Sequence, residues 1–304
     1  MATKPGATSR PRKGKAVAEP ARLRVRKTYK LYIGGAFPRS ESARSYPVTS
    51  AAGDLLAHAA QGSRKDVRDA VVAARKAFPA WSAATAYNRG QVLYRVAEML
   101  DGRRQQFADE VAAAEAISAG AALKQVDAAV DRWVYYAGWA DKYAQVVGGT
   151  NPVAGPYFNF SLPEPTGVVA VVAPQDSSLL GLVSVLAPVL TTGNTAVVLA
   201  AQRRPLPAIS LAEVLATSDL PGGVVNLLTG MTAELAPWLA GHRDVNAIDL
   251  TGVAPDQRPA LRTRAADNVK RVLAPTATDW SAEPGLSRLT AFVETKTVWH
   301  PIGV

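Results

Sequence analysis

The sequence predicts an α/β protein built around a doubly wound parallel sheet. From Gly167 to Ala274, short apolar runs alternate with segments of helical periodicity. The run GVVAVVA at 167–173 is apolar at every position, which is typical of strands that are covered on both faces. Short loops join the segments, so helical crossovers connect strands that run parallel. Ligands of such a fold are expected at the carboxyl ends of the strands.

The elements of this sheet region follow one another closely. Gly193 and the sequence Pro221-Gly222-Gly223 are expected to end two of its helices. The predicted strands are 167–173, 195–201, 224–228, 245–250 and 270–274, and the predicted helices are 179–190, 207–217, 232–240 and 255–266.

The chain before this region is predicted to be mostly helical. Tyr29 to Phe37 alternates and then turns at Gly34-Gly35, which indicates an edge strand and a hairpin. Ser63 is a suitable N-cap for a helix that reaches about Phe78. Longer helical patterns occupy 87–100, 103–116 and 121–146.

The two ends of the chain differ in composition from the rest. Residues 1–30 hold ten of the Lys and Arg residues and one acidic residue, Glu19, whereas the remainder is electrically neutral. We expect 1–30 to be a disordered, solvated tail, with contact to nucleic acid as the less favoured alternative. Residues 275–285 are predicted to be a linker, and 286–304 a β-prone arm that must pair with another strand.

Composition and motifs exclude several classes of function. No stretch reaches the ~20 apolar residues that span a bilayer, so no membrane contact is expected. The sequence has no cysteine, no GxSxG, no P-loop and no GxGxxG. Its histidines, His58, His242 and His300, lie outside any metal-binding spacing, so no metal site is predicted. A chain without cysteine suits a reducing compartment, and we expect the cytoplasm.

Six stretches, in order, resemble landmarks of the NAD(P)-dependent aldehyde dehydrogenase family. They are LYIGGAF at 31–37, EPTGVVAVVAP at 164–174, LAPVLTTGNTAVVL at 186–199, LPGGVVNLLTG at 220–230, LTGV at 250–253 and FVETKTV at 292–298. The resemblance covers 31–274, which corresponds to the family's cofactor-binding domain, and 286–304, its oligomerisation arm. It implies a Rossmann-like cofactor domain, which agrees with the fold predicted from the residues alone.

The resemblance also implies that the family's chemistry is missing here. Its reaction needs a cysteine thiolate that attacks the aldehyde, and the segment carrying that residue has no counterpart. The family's oxyanion-binding Trp-Asn corresponds to Gln175 and Asp176, and its ribose-binding Lys and Glu to Leu199 and Gln202. Its catalytic Glu corresponds to Pro275, and the following Gly-Gly to Ala277 and Thr278. We therefore predict no catalytic residue.

Some cofactor-binding features are retained. By resemblance, Pro174, Thr251, Gly252 and Val253 are the candidates for residual contact with NAD or NADP, although Val253 replaces the family's serine. Backbone N–H groups at the start of the helix expected at Pro255 could receive a pyrophosphate. We expect no bound cofactor, with NAD or NADP as the alternative that the resemblance implies.

The function that this pattern predicts is assembly. The predicted oligomerisation residues are Phe292, Val293, Thr295, Lys296, Thr297 and Val298. In the family the arm pairs with the catalytic domain of a neighbouring subunit, and this chain lacks such a domain. We therefore expect an inactive subunit that stabilises or regulates a full-length aldehyde dehydrogenase in a hetero-oligomer. The alternative is an NAD(P)-dependent oxidoreductase that acts on an aldehyde.

Overall fold

A computed structural model describes residues 1–2, 26–274 and 278–303 of the chain. Within those residues the chain forms three sheets and ten helices. The strands are β1 Thr28–Tyr29, β2 Ser45–Thr49, β3 Leu55–Ala60, β4 Gly149–Asn151, β5 Tyr157–Pro165, β6 Val168–Val172, β7 Thr195–Leu199, β8 Val225–Leu228, β9 Ala247–Asp249, β10 Arg271–Leu273 and β11 Val293–Pro301. The helices are α1 Arg64–Ala83, α2 Ala86–Asp101, α3 Arg104–Glu115, α4 Ala119–Trp139, α5 Tyr143–Val147, α6 Leu180–Thr191, α7 Leu206–Ala216, α8 Thr232–Gly241, α9 Arg258–Ala266 and α10 Ser287–Thr290.

The central sheet confirms the predicted doubly wound fold. Its five strands are all parallel and lie in the order β10-β9-β6-β7-β8. The chain winds outward from β6 to β8 and then crosses back to β9, which pairs with the other side of β6. The winding direction therefore reverses between β6 and β9, and a crevice is expected at their carboxyl ends.

Both faces of this sheet are covered, which explains its uniformly apolar strands. Val168, Ala170 and Val172 of β6 belong to one core with α1, α8 and α9. Val169 and Val171 belong to a second core with α6 and α7. Every residue of β6 is buried, and so is every residue of α6. Alternate side chains of one strand thus serve two cores, as in other doubly wound sheets.

The N-terminal helices begin close to the predicted residues but differ from the predicted helices in length. Ser63 caps α1, and Asp66 returns a side-chain bond to the Ser63 N–H, which completes a capping box. The helix continues beyond Phe78 and through Pro79 to Ala83. The pattern at 121–146 is split into α4 and α5 by a turn. Trp133 and Tyr136 of α4 are buried in the core, as their helical spacing predicts.

The hairpin predicted at Gly34-Gly35 is confirmed, and two other local features differ from the prediction. The two glycines form a turn, with φ of 62° and 86°, between Ile33 and Ala36, which form an antiparallel bridge, and Tyr32 bridges Leu227 at the edge of the central sheet. Strands β2 and β3, which form a small sheet with β1, were not predicted. Helix α9 begins at Arg258 and not at Pro255, because 254–257 form a turn in which the Gln257 N–H donates to the Ala254 carbonyl.

The predicted basic tail, 1–30, lies largely outside the described residues. Its last residues join the fold, since Thr28–Tyr29 form β1 and Lys27 pairs with Glu213 at 2.6 Å. Among the described residues, no helix has both the length and the hydropathy needed to cross a bilayer.

The arm pairs with a strand of its own chain. Strand β11 is antiparallel to β5 over nine residues, from Val293 opposite Pro165 to Pro301 opposite Tyr157. Strand β4 pairs with the other side of β5, so β11 is an edge strand of a three-stranded sheet. The sequence predicted that the arm needs a partner strand but did not identify β5. Its segment YFNFSLPEP contains two prolines, which weaken a strand pattern.

Asn194 joins this arm to the central sheet. Its Oδ1 accepts a bond from the Gly167 N–H at 2.8 Å, and its Nδ2 donates to the Phe292 carbonyl at 2.9 Å. The side chain is fully buried, so water cannot replace either bond. One amide therefore fixes the start of β6 and the start of β11 in the same place.

We expect Asn194→Ala to lower the free energy of unfolding by about 1–3 kcal/mol, because the change leaves buried polar groups without their hydrogen-bond partner. Denaturant unfolding would measure this, with Asn88→Ala on the exposed face of α2 as the matched control. A loss for Asn194→Ala no larger than that of the control would show that this junction does not hold the arm.

Candidate functional site

The crevice between β6 and β9 is lined by the loops that follow these two strands. The Gly252 N–H donates to the Val172 carbonyl at 2.9 Å and joins the two loops. A Cβ at position 252 would collide with the Ala173 backbone, so only glycine fits there. Of the predicted cofactor-binding residues, Thr251, Gly252 and Val253 lie on one loop and Pro174 follows Ala173 on the other. The structure thus gathers them at the predicted edge of the sheet.

The backbone N–H groups of the Thr251–Val253 loop are already used within the protein. Thr251 donates to Asp249 Oδ1 at 2.8 Å, Gly252 to Val172, and Val253 to the Leu250 carbonyl at 3.0 Å. A pyrophosphate would have to displace one of these bonds to accept from this loop. Contact of these residues with NAD or NADP stays a prediction.

One half of the crevice is open and forms a cavity of about 570 Å³. It is lined by Gln175, Asp176, Gln202, Arg203, Arg204, Thr232, Ala233, Gly252, Ala254 and Gln257. Gln175 Oε1 accepts from the Gln202 N–H, and Gln202 Oε1 accepts from the Thr232 N–H, both at 2.9 Å. Leu199, the other position that corresponds to a ribose-binding residue, is buried in β7 and offers no polar group.

The other half is covered by the segment that leads to the arm. Trp280 Nε1 lies 3.4 Å from Asp176 Oδ1, and Arg132 donates to the carbonyls of Trp280 and Ala282 at 3.0 Å. The Arg288 guanidinium lies 5.7 Å from the centre of the Trp280 ring. Residues 280–288 are therefore held across the carboxyl ends of β6 and β9.

A buried ion pair anchors this cover. Arg288 of α10 pairs with Asp249 at 2.7 Å and donates to Thr251 Oγ1 at 3.2 Å, and Thr251 also donates its hydroxyl hydrogen to Asp249. The Asp249 side chain is fully buried and that of Arg288 is 14% exposed. The sequence analysis missed both residues. The available signal was an aspartate inside the apolar run AIDL, which needs a partner when buried.

A partly buried polar cluster lies where α3 and α7 contact Lys27. Ser210 donates to Glu110 at 2.9 Å, and Glu213 pairs with both Lys27 and Arg103. Burial raises the pKa of Glu110, and burial, with the nearby carboxylates, raises the pKa of Tyr29 to about 12. The ion pair of Lys27 with Glu213 holds the N-terminal segment on the helices, whereas Glu110 Oε2 is buried without a hydrogen-bond partner among the described residues.

The surroundings of His242 and His300 indicate structural or surface positions. His242 is the C-cap residue of α8, where its Nδ1 accepts from the Asp244 N–H at 3.2 Å, and burial lowers its pKa. His300 is exposed on β11. Within 1–2, 26–274 and 278–303 no group of side chains has the composition of a metal site.

The residues present do not fit a whole nicotinamide dinucleotide. The open cavity could take a nucleotide's phosphate and sugar, since it holds Arg203 and Arg204 beside neutral amides. The rest of the crevice is covered by Trp280, and Asp176 places a carboxylate where the two halves meet.

We expect Arg288→Met to lower the free energy of unfolding by about 3–5 kcal/mol, because it leaves the Asp249 carboxylate buried without its cation. The double variant Asp249→Ala/Arg288→Met should recover most of that loss. Denaturant unfolding measures both, with Arg262→Met on the exposed face of α9 as the control. Equal stability of Arg288→Met and the control would contradict this assignment.

The aldehyde dehydrogenase family profile matches residues 37–277. Among curated proteins, the chain is 35% identical over 263 residues to the cytosolic 10-formyltetrahydrofolate dehydrogenase of Mus musculus, covering 83% of this chain and 28% of that protein. It is 33% identical over 266 residues to the mitochondrial benzaldehyde dehydrogenase of Antirrhinum majus, covering 84% of this chain and 48% of that protein. The chain thus spans less than half the length of these two relatives.

Solved structures give the same result. An aldehyde dehydrogenase from Bacillus cereus in complex with NAD+ superimposes with a TM-score of 0.77 and 28% identity, over 81% of this chain and half of that one. HpcC from Thermus thermophilus gives a TM-score of 0.77 and 30% identity, over 81% of this chain and 47% of that one. With its five-stranded parallel sheet and the match across 37–277, the chain belongs to the aldehyde dehydrogenase family.

Proposed function

We propose that this chain is a non-catalytic aldehyde dehydrogenase subunit that assembles with a full-length member of the family. The observation that carries the proposal is the direct connection from the cofactor-type sheet to the arm. Strand β10 ends at Leu273 and β11 begins at Val293, which leaves no room for a catalytic domain between them. The chain also has no cysteine, so it cannot form the sulfur adduct on which the family's reaction depends.

The groups that would stabilise a reaction are also replaced. Asp176 stands where the family binds an oxyanion, and its negative charge would repel the charge that develops there. Pro275, which corresponds to the catalytic glutamate, and Ala277 lie outside the described residues. Thr278, the other position of the family's Gly-Gly, is exposed and lies two residues before Trp280.

The three-stranded arm sheet supports a role in assembly. Large apolar side chains are exposed on it: Tyr157, Phe158, Leu162, Trp299 and Ile302. Trp299, at 57% exposure, packs edge-on against Tyr157 with ring centres 5.7 Å apart. Among the described residues, β11 has β5 on one side and no strand on the other, so the backbone groups on that side lack a strand partner. The strand register places Tyr157 and Trp299 on one face of this sheet and Phe158 and Leu162 on the other. Exposed aromatic side chains of this kind are enriched at protein–protein interfaces.

An argument from symmetry supports the choice of partner. By the family arrangement, an arm packs on the catalytic domain of a neighbouring subunit. A symmetric dimer of this chain would need each copy to supply both surfaces, and this chain supplies only one. A full-length aldehyde dehydrogenase has the missing surface, and this chain would stabilise or regulate it by occupying that site.

The alternative function is an NAD(P)-dependent oxidation of an aldehyde by this chain alone. It requires a nucleophile other than cysteine and an open path for the nicotinamide ring. Incubating the purified chain with an aldehyde and NAD or NADP, while following absorbance of the reduced nicotinamide, tests it. We expect no turnover above the uncatalysed rate, and steady turnover that increases with protein concentration would replace our proposal by this alternative.

We expect Trp299→Ser to weaken assembly with a full-length aldehyde dehydrogenase from the same cell by about 10-fold or more, as for an aromatic side chain central to an interface. Native mass spectrometry or light scattering of the mixed, purified proteins would measure it. Trp238→Ser is the matched control, because Trp238 is 40% exposed on α8, away from the arm.

Detection of only monomers or homo-oligomers of this chain would contradict the proposed partner. Equal weakening by both tryptophan variants would contradict the assignment of the interface to the arm.

A further inference from the structure

The outer face of the small N-terminal sheet carries basic side chains that the proposed assembly does not use. Strands β1 and β3 lie side by side in this sheet, with Thr28 opposite His58 and Tyr29 opposite Ala59. Successive side chains of a strand point to opposite faces. Tyr29 and Ala59 are buried in the core, whereas Thr28 and His58 are exposed on the other face. Lys30 follows Tyr29 and lines one cavity together with Thr28 and His58.

The chain from 39 to 45 encloses this face in a cavity of about 180 Å³. Its position is fixed at two points. The Ser40 hydroxyl donates to Asp66 of α1 at 2.7 Å, and the Gln61 N–H, just after β3, donates to the Arg44 carbonyl at 2.9 Å. Pockets for drug-sized ligands measure about 300–1,000 Å³. The cavity therefore suits a compact group and not a nucleotide.

The lining of this cavity is basic. Its ionisable side chains in the described part of the chain are Lys30, Arg39, Arg44 and His58, with no carboxylate among them. Arg44 pairs with Glu234 of α8 at 2.9 Å, so one charge is already compensated. Lys30 and Arg39 form no ion pair with any described residue. Two cationic groups therefore remain at the cavity without a counter-charge.

The carboxylates next to the turn are engaged elsewhere. Glu41 accepts from the Ser63 hydroxyl at 3.0 Å, and Asp66 accepts from the Ser63 N–H at 2.8 Å, both at the start of α1. The hydroxyls of Thr28 and Ser45 line the cavity and have no hydrogen-bond partner among the described residues. The cavity therefore offers both positive charge and free donors.

This combination matches the chemistry of a phosphate group. A phosphomonoester carries about −1.5 to −2 charges at neutral pH and several strong acceptor oxygens. The Arg39 guanidinium can bind such a group through paired hydrogen bonds, and the Lys30 ammonium can bind it as a point charge. A single carboxylate would compensate only one of the two cations.

We propose that the cavity between Lys30, Arg39, Arg44 and His58 binds a phosphate group, either free or as the monoester of a small molecule. The bound group would link β1 to the chain at 39–45 and, through Arg44, to α8. The site belongs neither to the arm sheet nor to the crevice after β6 and β9. Failure of this proposal would therefore leave the proposed assembly untouched, and the reverse also holds.

Titration calorimetry of the full chain with inorganic phosphate tests the proposal. We expect a Kd of about 1 mM or tighter, which Lys30→Ala/Arg39→Ala weakens by about tenfold or more through the loss of charge-assisted hydrogen bonds. Lys124→Ala/Arg262→Ala removes the same two types of side chain from exposed positions on α4 and α9 and should leave the affinity unchanged. No binding, or equal weakening by both double variants, would overturn the proposal.

Amide chemical shifts locate the bound phosphate without any substitution. In the unaltered chain, phosphate should shift the amide signals of Thr28, Ser45 and His58, which border the cavity. Phosphate that leaves these three signals in place, or that shifts only those of 203–204 in the crevice, would overturn the assignment.

Further ligands distinguish the sources of the phosphate and test its chemistry. Glycerol 3-phosphate that binds more tightly than inorganic phosphate would identify a phosphomonoester as the ligand, and the reverse order would identify the free anion. Either order supports a phosphate site. Succinate should bind at least about tenfold more weakly than the tighter of the two, because its two charges lie at opposite ends of an extended chain. Succinate that binds equally well would overturn the choice of phosphate.

Discussion

The antiparallel pairing of β11 with β5 is the interaction on which the rest of this structure depends. It extends over nine residue pairs, and Lys296 and Glu164 add an exposed ion pair at 2.9 Å across it. At the inner end of this pairing, the Phe292 carbonyl accepts hydrogen bonds from the Asn194 side chain and from the Thr166 N–H. Strand β10 lies in the central sheet and β11 in the arm sheet. The positions of these two strands therefore determine the path of the segment between them.

The course of that segment links the fold to the site. Residues 280–288 cross the carboxyl ends of β6 and β9, and Arg288 forms an ion pair with the buried carboxylate of Asp249. This short connection between β10 and β11 thus covers one half of the crevice and leaves the other half open. An enzyme of this fold would need the covered half for its reacting groups, whereas an assembling subunit needs only the arm sheet to be accessible.

The central sheet and its helices could be predicted from sequence because their signals are local. Uniformly apolar runs such as GVVAVVA, the cap at Ser63 and the helical spacing of Trp133 and Tyr136 each report burial or backbone geometry directly. Strand β5 could not be predicted in the same way, because its two prolines weaken the local strand pattern and its partner β11 is distant in the sequence. The pairing of Arg288 with Asp249 depends on the same long-range return of the chain, and so does the cover formed by Trp280. The position of Thr251, Gly252 and Pro174 at one edge of the sheet was predictable from the sequence. That the loop's N–H groups donate to other groups of the protein became visible only in the structure.

Residue-resolved amide hydrogen exchange of β11, with and without a full-length aldehyde dehydrogenase, tests this account most directly. For the isolated chain we predict protection of the alternate amides that face β5 and rapid exchange of those on the open edge. Addition of the full-length protein should protect the open-edge amides and leave the exchange of β6 unchanged. Rapid exchange along the whole of β11 in the isolated chain would contradict the pairing with β5, and an exchange pattern unaffected by the full-length protein would contradict the proposed role of the arm.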